Sequence, residues 1–217
     1  MRRLRYCVAH TLTGRYATYL GFSMKIKKTP VGQNILDGLG DTENSYEMIQ
    51  DFLPIIGEIV VAFNALEASL DSLLCETFSD RSDQKGLLVL HSMMYSTKVD
   101  LFKKFNDDFI RGFGWDIKEY KPLISSLKEC GVLRNKVVHA NWEYTDEDGY
   151  TQVKFKVGND GLEHELCQFS VESLDTIVEK IYQTRHALSD FDQECSYKIS
   201  EWNQQIHDRN ELRNRSE

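Results

Sequence analysis

Hydrophobic residues recur at three- and four-residue intervals in four separate runs along the chain. The first comprises Ile55, Ile56, Ile59, Val60, Phe63, Leu66, Leu70, Leu73 and Leu74. It predicts a long amphipathic helix over 54–78, opened near Asp51 and Pro54 because proline is tolerated in a first helical turn. Leu87, Leu90, Met94, Leu101, Phe102, Phe105 and Phe109 predict a second helix, stopped by Gly112 and Gly114. The third run, Tyr120, Leu123, Ile124, Leu127, Cys130, Val137 and Val138, predicts a helix with Pro122 in its first turn and its end near His139.

The period then changes. After Trp142 and Tyr144 comes the turn sequence Asp-Glu-Asp-Gly at 146–149, and then Tyr150, Val153, Phe155 and Val157 among polar residues, a β-hairpin pattern over about 141–157. Ser170 offers an N-cap for the fourth run, which carries Leu174, Ile177, Val178, Ile181, Leu188, Phe191, Cys195, Ile199, Trp202 and Ile206. A helix over 170–206 would span roughly 55 Å at about 1.5 Å per residue, wider than a domain of this size. It therefore either breaks around Ser189 or contributes to a dimer interface.

The chain has 217 residues, suited to one domain with appendages, and 41% of them are hydrophobic, enough for a core. Its net charge of −8 is unevenly spread. Arg2, Arg3, Arg5, Arg15, Lys25, Lys27 and Lys28 precede the first acid, Asp37, so the first thirty residues carry +7, and the remaining 19 basic against 34 acidic residues leave −15. We expect a basic, flexible extension over 1–45, a helical domain over 46–207 and a polar tail over 208–217. Residues 1–23 lack the sustained apolar core of a signal peptide, and Met24 is a second plausible start. No apolar stretch approaches the roughly 20 residues needed to cross a bilayer, so no membrane residence is expected. Cys7, Cys75, Cys130, Cys167 and Cys195 are odd in number and never form a CxxC pair, which points to a reducing cytoplasm without a disulfide framework or zinc site. An acidic body also disfavours a general coat for bulk nucleic acid.

When each helix is unrolled at about 100° per residue, three charges fall on apolar stripes: Glu67, Lys98 and Arg134. Buried charges need partners, and the economical arrangement brings Glu67 to Lys98 or Arg134. The run Leu133-Arg134-Asn135-Lys136-Val137-Val138-His139-Ala140 then sets Asn135 and His139 four apart, flanking Arg134. Guanidinium, amide and imidazole on one small surface suit phosphate chemistry. The guanidinium neutralises charge on a phosphoryl group, and the imidazole moves a proton.

Arg134, Asn135 and His139 at the end of the third long helix resemble the Arg-x4–6-His motif of the HEPN superfamily (higher eukaryotes and prokaryotes nucleotide-binding). Phe63-Asn64-Ala65-Leu66-Glu67 in the first helix has a similar cadence, and the resemblance covers roughly residues 50–205. It implies a mainly α fold, an up-down bundle of four to five helices, into which the residue pattern inserts a small β-hairpin after the third long helix; the superfamily pattern explains neither that hairpin nor the extended last helix. It also implies a cytoplasmic endoribonuclease that needs no metal or other cofactor and acts as a homodimer with the motifs of two subunits facing a cleft. In that family reading His139 transfers protons, Arg134 stabilises the transition state, Asn135 orients the phosphate or the imidazole, and Glu67 supports Arg134 or His139. Lys98 belongs to the same supporting shell. The implied setting is a toxin–antitoxin or phage-defence system, with RNA as substrate and an antitoxin or regulatory protein as partner. The tyrosine found two residues after the His in members silenced by nucleotidylation is Asn141 here, and the nearest tyrosine is Tyr144.

Trp142 and Tyr144 are candidates for stacking an RNA base, or for packing the hairpin onto the helices. His91 is expected on the inward face of the second helix near Lys98. His164, His186 and Cys195 are too scattered to suggest a metal site. The rival reading is a non-catalytic helical interaction or regulatory module, in which Arg134 pairs with Glu67 and His139 caps its helix.

Overall fold

The computed structural model describes residues 24–35, 45–78, 82–158 and 161–214. The expectations for 1–23, the arm and Cys7 included, lie outside these residues. In chain order the elements are β1 (Ile26–Pro30), α1 (Ser45–Phe78), α2 (Gln84–Leu90), α3 (Tyr95–Phe113), α4 (Tyr120–Val138), β2 (Asn141–Thr145), β3 (Tyr150–Gly158), β4 (Gly161–Gln168) and α5 (Val171–Asn214). The protein is mainly helical, with a small antiparallel sheet.

The predicted stripes form the core. Ile59, Leu66, Leu70 and Leu74 of α1, Leu127 and Cys130 of α4 and Leu174, Ile181 and Leu188 of α5 are all completely buried. Burying a Leu or Ile side chain is worth about 1.5–3 kcal/mol, so this one cluster is the main source of stability. α1 is longer than predicted. It starts at Ser45, and Pro54 lies inside it on an exposed face, at the cost of one backbone hydrogen bond. Tyr46–Phe78 is also long and apolar enough, by length and composition, to cross a membrane. That corrects the expectation that no stretch approaches this length. In the fold its apolar stripe packs on α5, α2, α3 and α4.

The predicted second helix is two helices. α2 ends at Leu90 with His91 as its C-cap, and α3 starts after Met94, whose backbone is extended (ψ 149°). The expectation for His91 is therefore corrected, because it is exposed at the break and does not face inward. α3 closes on Gly114 at φ 66°, a left-handed cap that glycine adopts without steric cost.

The hairpin, β2 and β3, forms one side of a four-stranded sheet ordered β1-β4-β3-β2, with β2 at the edge. β1 comes from the segment expected as an N-terminal extension and pairs with β4 from Ile26↔Cys167 to Pro30↔Glu163. Between Gln152 and Lys154 the register shifts, so Val153 is an extra residue in β3. Asp146 builds the turn by accepting hydrogen bonds at Oδ1 from the backbone N–H groups of Asp148 and Tyr150. At α5 the Ser170 Oγ accepts from the Ser173 N–H and the Ser173 Oγ accepts from the Ser170 N–H, a reciprocal cap at the predicted N-cap. α5 then runs unbroken to Asn214, through Ser189 and into the expected polar tail. At about 1.5 Å per residue its 44 residues span roughly 65 Å. Past Phe191 it is held by an aromatic cluster in which Trp202 meets Phe113 at 5.1 Å and Lys198 lies over Trp115.

Candidate phosphate-binding site

α4 forms as predicted, and its last turn gathers the motif. Leu127, Cys130 and Val137 face the core, which turns Arg134 to the rim and leaves Asn135 and His139 exposed. The Arg134 Nη1 donates to Asn135 Oδ1 at 3.0 Å. Its Cζ stands 5.3 Å from the centroid of the Phe63 ring of α1, in cation–π range. The Arg134 Nε is buried and has no hydrogen-bond partner, and no carboxylate among the described residues pairs with this guanidinium. His139 is the C-cap residue of α4, and its backbone N–H donates to the Asn135 carbonyl at 3.1 Å. Backbone geometry thus fixes where the imidazole starts, while its side chain is open to solvent.

The two supporting residues sit elsewhere. Lys98 is 6% exposed, and its Nζ donates at 2.8 Å to Glu67 Oε1 and at 2.8 Å to Asp71 Oδ2. Glu67 therefore belongs to Lys98; the direct support for Arg134 or His139 implied by the family resemblance is not made. Burial pushes the Lys98 ammonium toward losing its proton, but the hydrogen bonds it donates to Asp71 and Glu67 outweigh this and hold the pKa above the usual lysine value. Asp71 is the member that sequence reasoning missed. Its signal was available, since it follows Glu67 by four residues on the same helical face.

Tyr95, at the start of α3, touches both α1 and α4. Its ring meets Phe63 at 4.6 Å, and its hydroxyl donates to the Leu127 carbonyl of α4 at 3.0 Å. Burial first, and then the negative potential of Cys130 and Glu67, push that hydroxyl far above the usual tyrosine range, so it stays a donor.

Trp142 is committed to the fold. Its ring packs against Phe52 at 5.8 Å and Phe169 at 4.9 Å, and its Nε1 donates to the Val137 carbonyl at the end of α4. Tyr144 is half-buried on β2. Of the scattered histidines and cysteines, His164 is buried on β4 beside Phe155, His186 is exposed on α5, and the Cys195 thiol is raised to about 11 by burial and by Glu194 and Asp192. A groove of about 330 Å³ between α4 and α5, lined by Leu123, Lys180, Asp190 and Phe191 among others, lies toward the opposite end of α4 and includes none of the motif residues.

The site therefore offers one cationic fork held by an aromatic ring, one amide and one accessible imidazole at a helix end. That set can bind a phosphate oxygen and exchange a proton beside it. No family model, curated protein or solved structure matches the chain.

Proposed function

We propose that the protein is a metal-independent endoribonuclease of HEPN type, working as a homodimer in a toxin–antitoxin or phage-defence setting. The observation that carries this reading is the state of Arg134. It is an arginine at the rim of the core, fixed by Phe63 and Asn135, with no carboxylate among the described residues to neutralise it. A structural arginine in such a place normally has an acidic partner, whereas a phosphate receptor must keep its charge available. The rival module reading needs Arg134 to pair with Glu67, and Lys98 takes that carboxylate.

In the proposed reaction the substrate 2′-oxygen attacks the adjacent phosphorus and the bond to the 5′-oxygen breaks, leaving a 2′,3′-cyclic phosphate and a 5′-hydroxyl. One proton leaves the 2′-hydroxyl and one reaches the departing 5′-oxygen, and His139 of the two subunits serves these transfers. Arg134 carries the charge that builds on the equatorial oxygens. Asn135 orients the phosphate beside it.

The test is expression of wild type, Arg134→Ala and His139→Ala side by side, following growth and total RNA. Wild type should arrest growth and fragment RNA, with cleavage persisting in a chelator. Each variant should lose about 10²–10³-fold in rate, the usual effect of removing one preorganised transition-state donor. Identical growth and RNA in all three would leave the interaction-module reading standing.

A further inference from the structure

We propose that Phe63 and Tyr95 are positioning residues for Arg134, forming an aromatic wedge that fixes the guanidinium without neutralising it. The catalytic consequence of this inference rests on the ribonuclease reading above. Phe63 is 3% exposed, so the ring under Arg134 has little freedom to shift. Its neighbour is Tyr95, at 4.6 Å, and Tyr95 is itself pinned at both its ends. The hydroxyl is tied to the Leu127 carbonyl, and the ring lies so close to α4 that a Cβ at Gly131 would stand 3.0 Å from both Cδ1 and Cε1. Leu127, Gly131 and Arg134 follow at i, i+4 and i+7, so Tyr95 contacts the face of α4 that bears Arg134, one and two turns before it. α3, which presents Tyr95, is locked to α1 one turn later by Lys98 between Glu67 and Asp71. Phe63 and Glu67, four residues apart on α1, thus serve different cations, Arg134 and Lys98.

The chemical consequence is a difference in competition. A carboxylate on Arg134 would occupy the donors that a phosphodiester must use, and RNA would have to displace it. A ring face attracts the guanidinium from below and consumes none of its N–H groups. The wedge therefore holds the arginine ready while leaving its fork for the developing charge, so its loss should fall on kcat more than on KM.

The test is a double-mutant cycle on RNA cleavage joined to NMR of the Arg134 Nε–H group. Phe63→Leu keeps a large apolar side chain and removes the ring. Tyr95→Phe keeps the ring and removes the hydroxyl anchor, and it serves in place of Phe63→Leu if the latter does not fold. We expect Phe63→Leu to lower kcat about tenfold, to change KM less than about twofold, and to have no further effect in an Arg134→Ala background. The shielded Nε–H resonance, sharp in wild type, should merge with the exposed arginines in Phe63→Leu. Losses that add across the cycle, or an Nε–H resonance unmoved in both variants, would overturn the wedge while leaving the ribonuclease reading intact. If wild type cleaves no RNA yet the resonance responds as described, the wedge stands and the ribonuclease reading fails.

Discussion

Two cations stand on the apolar stripes of neighbouring helices, and the fold treats them in opposite ways. Lys98 is sunk between α1 and α3 and receives two carboxylates, Glu67 and Asp71, at 2.8 Å each. Arg134 stands at the rim of α4 and receives a phenyl ring and a neutral amide. The difference follows from what each environment demands. An ammonium at 6% exposure cannot stay charged without counter-charges, so the charge of Lys98 is saturated by its two carboxylates and buried away from ligands. A half-buried guanidinium is delocalised and weakly hydrated, so a ring face suffices and its charge survives. The saturated cation reads as structure, and the unsaturated one as a receptor.

The largest effect that separates them is on stability. Lys98→Ala leaves Glu67 and Asp71 facing each other without a counter-ion. Breaking a buried pair from one side costs about 3–5 kcal/mol, and the 29% and 20% exposure of the carboxylates reduces that to about 2–3 kcal/mol. Arg134→Ala removes one exposed hydrogen bond and one cation–π contact, a loss of about 1 kcal/mol. Urea unfolding of both variants measures the gap, and equal losses would erase the distinction.

That pairing was half legible in the sequence. Helical periodicity placed Glu67 and Lys98 on apolar stripes, and charge economy offered Glu67 either Lys98 or Arg134 as its partner. The same periodicity found α4 and the α5 core, because Leu127, Ile181 and Leu188 repeat at helical spacing and are buried accordingly. It failed where period and end signals disagree. Leu87, Leu90 and Met94 stay in register with Leu101, and no Pro or Gly marks the break between α2 and α3, so one helix was expected where there are two. Pro54 imitated a helix start because proline is favoured in a first turn, yet an exposed interior site also accepts it. β1, in Ile-Lys-Lys-Thr-Pro, has no apolar alternation to betray it and exists only because β4 offers an edge. The meeting of Phe63 with Arg134 joins positions 71 residues apart, and no local pattern encodes it.

A smaller and reversible effect lies in alkaline stability. The folded pKa of Lys98 is raised above its ordinary 10.5, so its contribution is fully present below about pH 10.5 and is lost as pH rises through the folded value. The wild type should therefore lose its advantage over Lys98→Met as pH rises above that value, while its advantage over Arg134→Ala, which keeps Lys98, shows no comparable step, because a guanidinium keeps its proton throughout the range. Unfolding free energies of the three proteins between pH 8 and 12 decide it. A parallel fall in all three would mean that other groups dominate and that Lys98 is no better held than Arg134.

The smallest expected change is Asn135→Ala, and it probes the receptor alone. Asn135 is exposed, and its Oδ1 accepts from Arg134 at 3.0 Å without withdrawing any charge from the fork. Stability should move by less than about 0.5 kcal/mol, as for most surface substitutions. If the amide aligns the guanidinium in the plane used for phosphate, cleavage should fall about three- to tenfold, the usual effect of one net hydrogen bond of about 1 kcal/mol. Asn135→Asp is the sharper partner experiment. It keeps the size and the acceptor but supplies a carboxylate, which Lys98 has and Arg134 does not have among the described residues. It should leave the fold intact or slightly firmer and reduce RNA cleavage more than the alanine does, because the fork is now neutralised. If the aspartate variant cleaves as well as wild type, an unsaturated charge at Arg134 is not what the site requires, and the contrast with Lys98 loses its functional meaning.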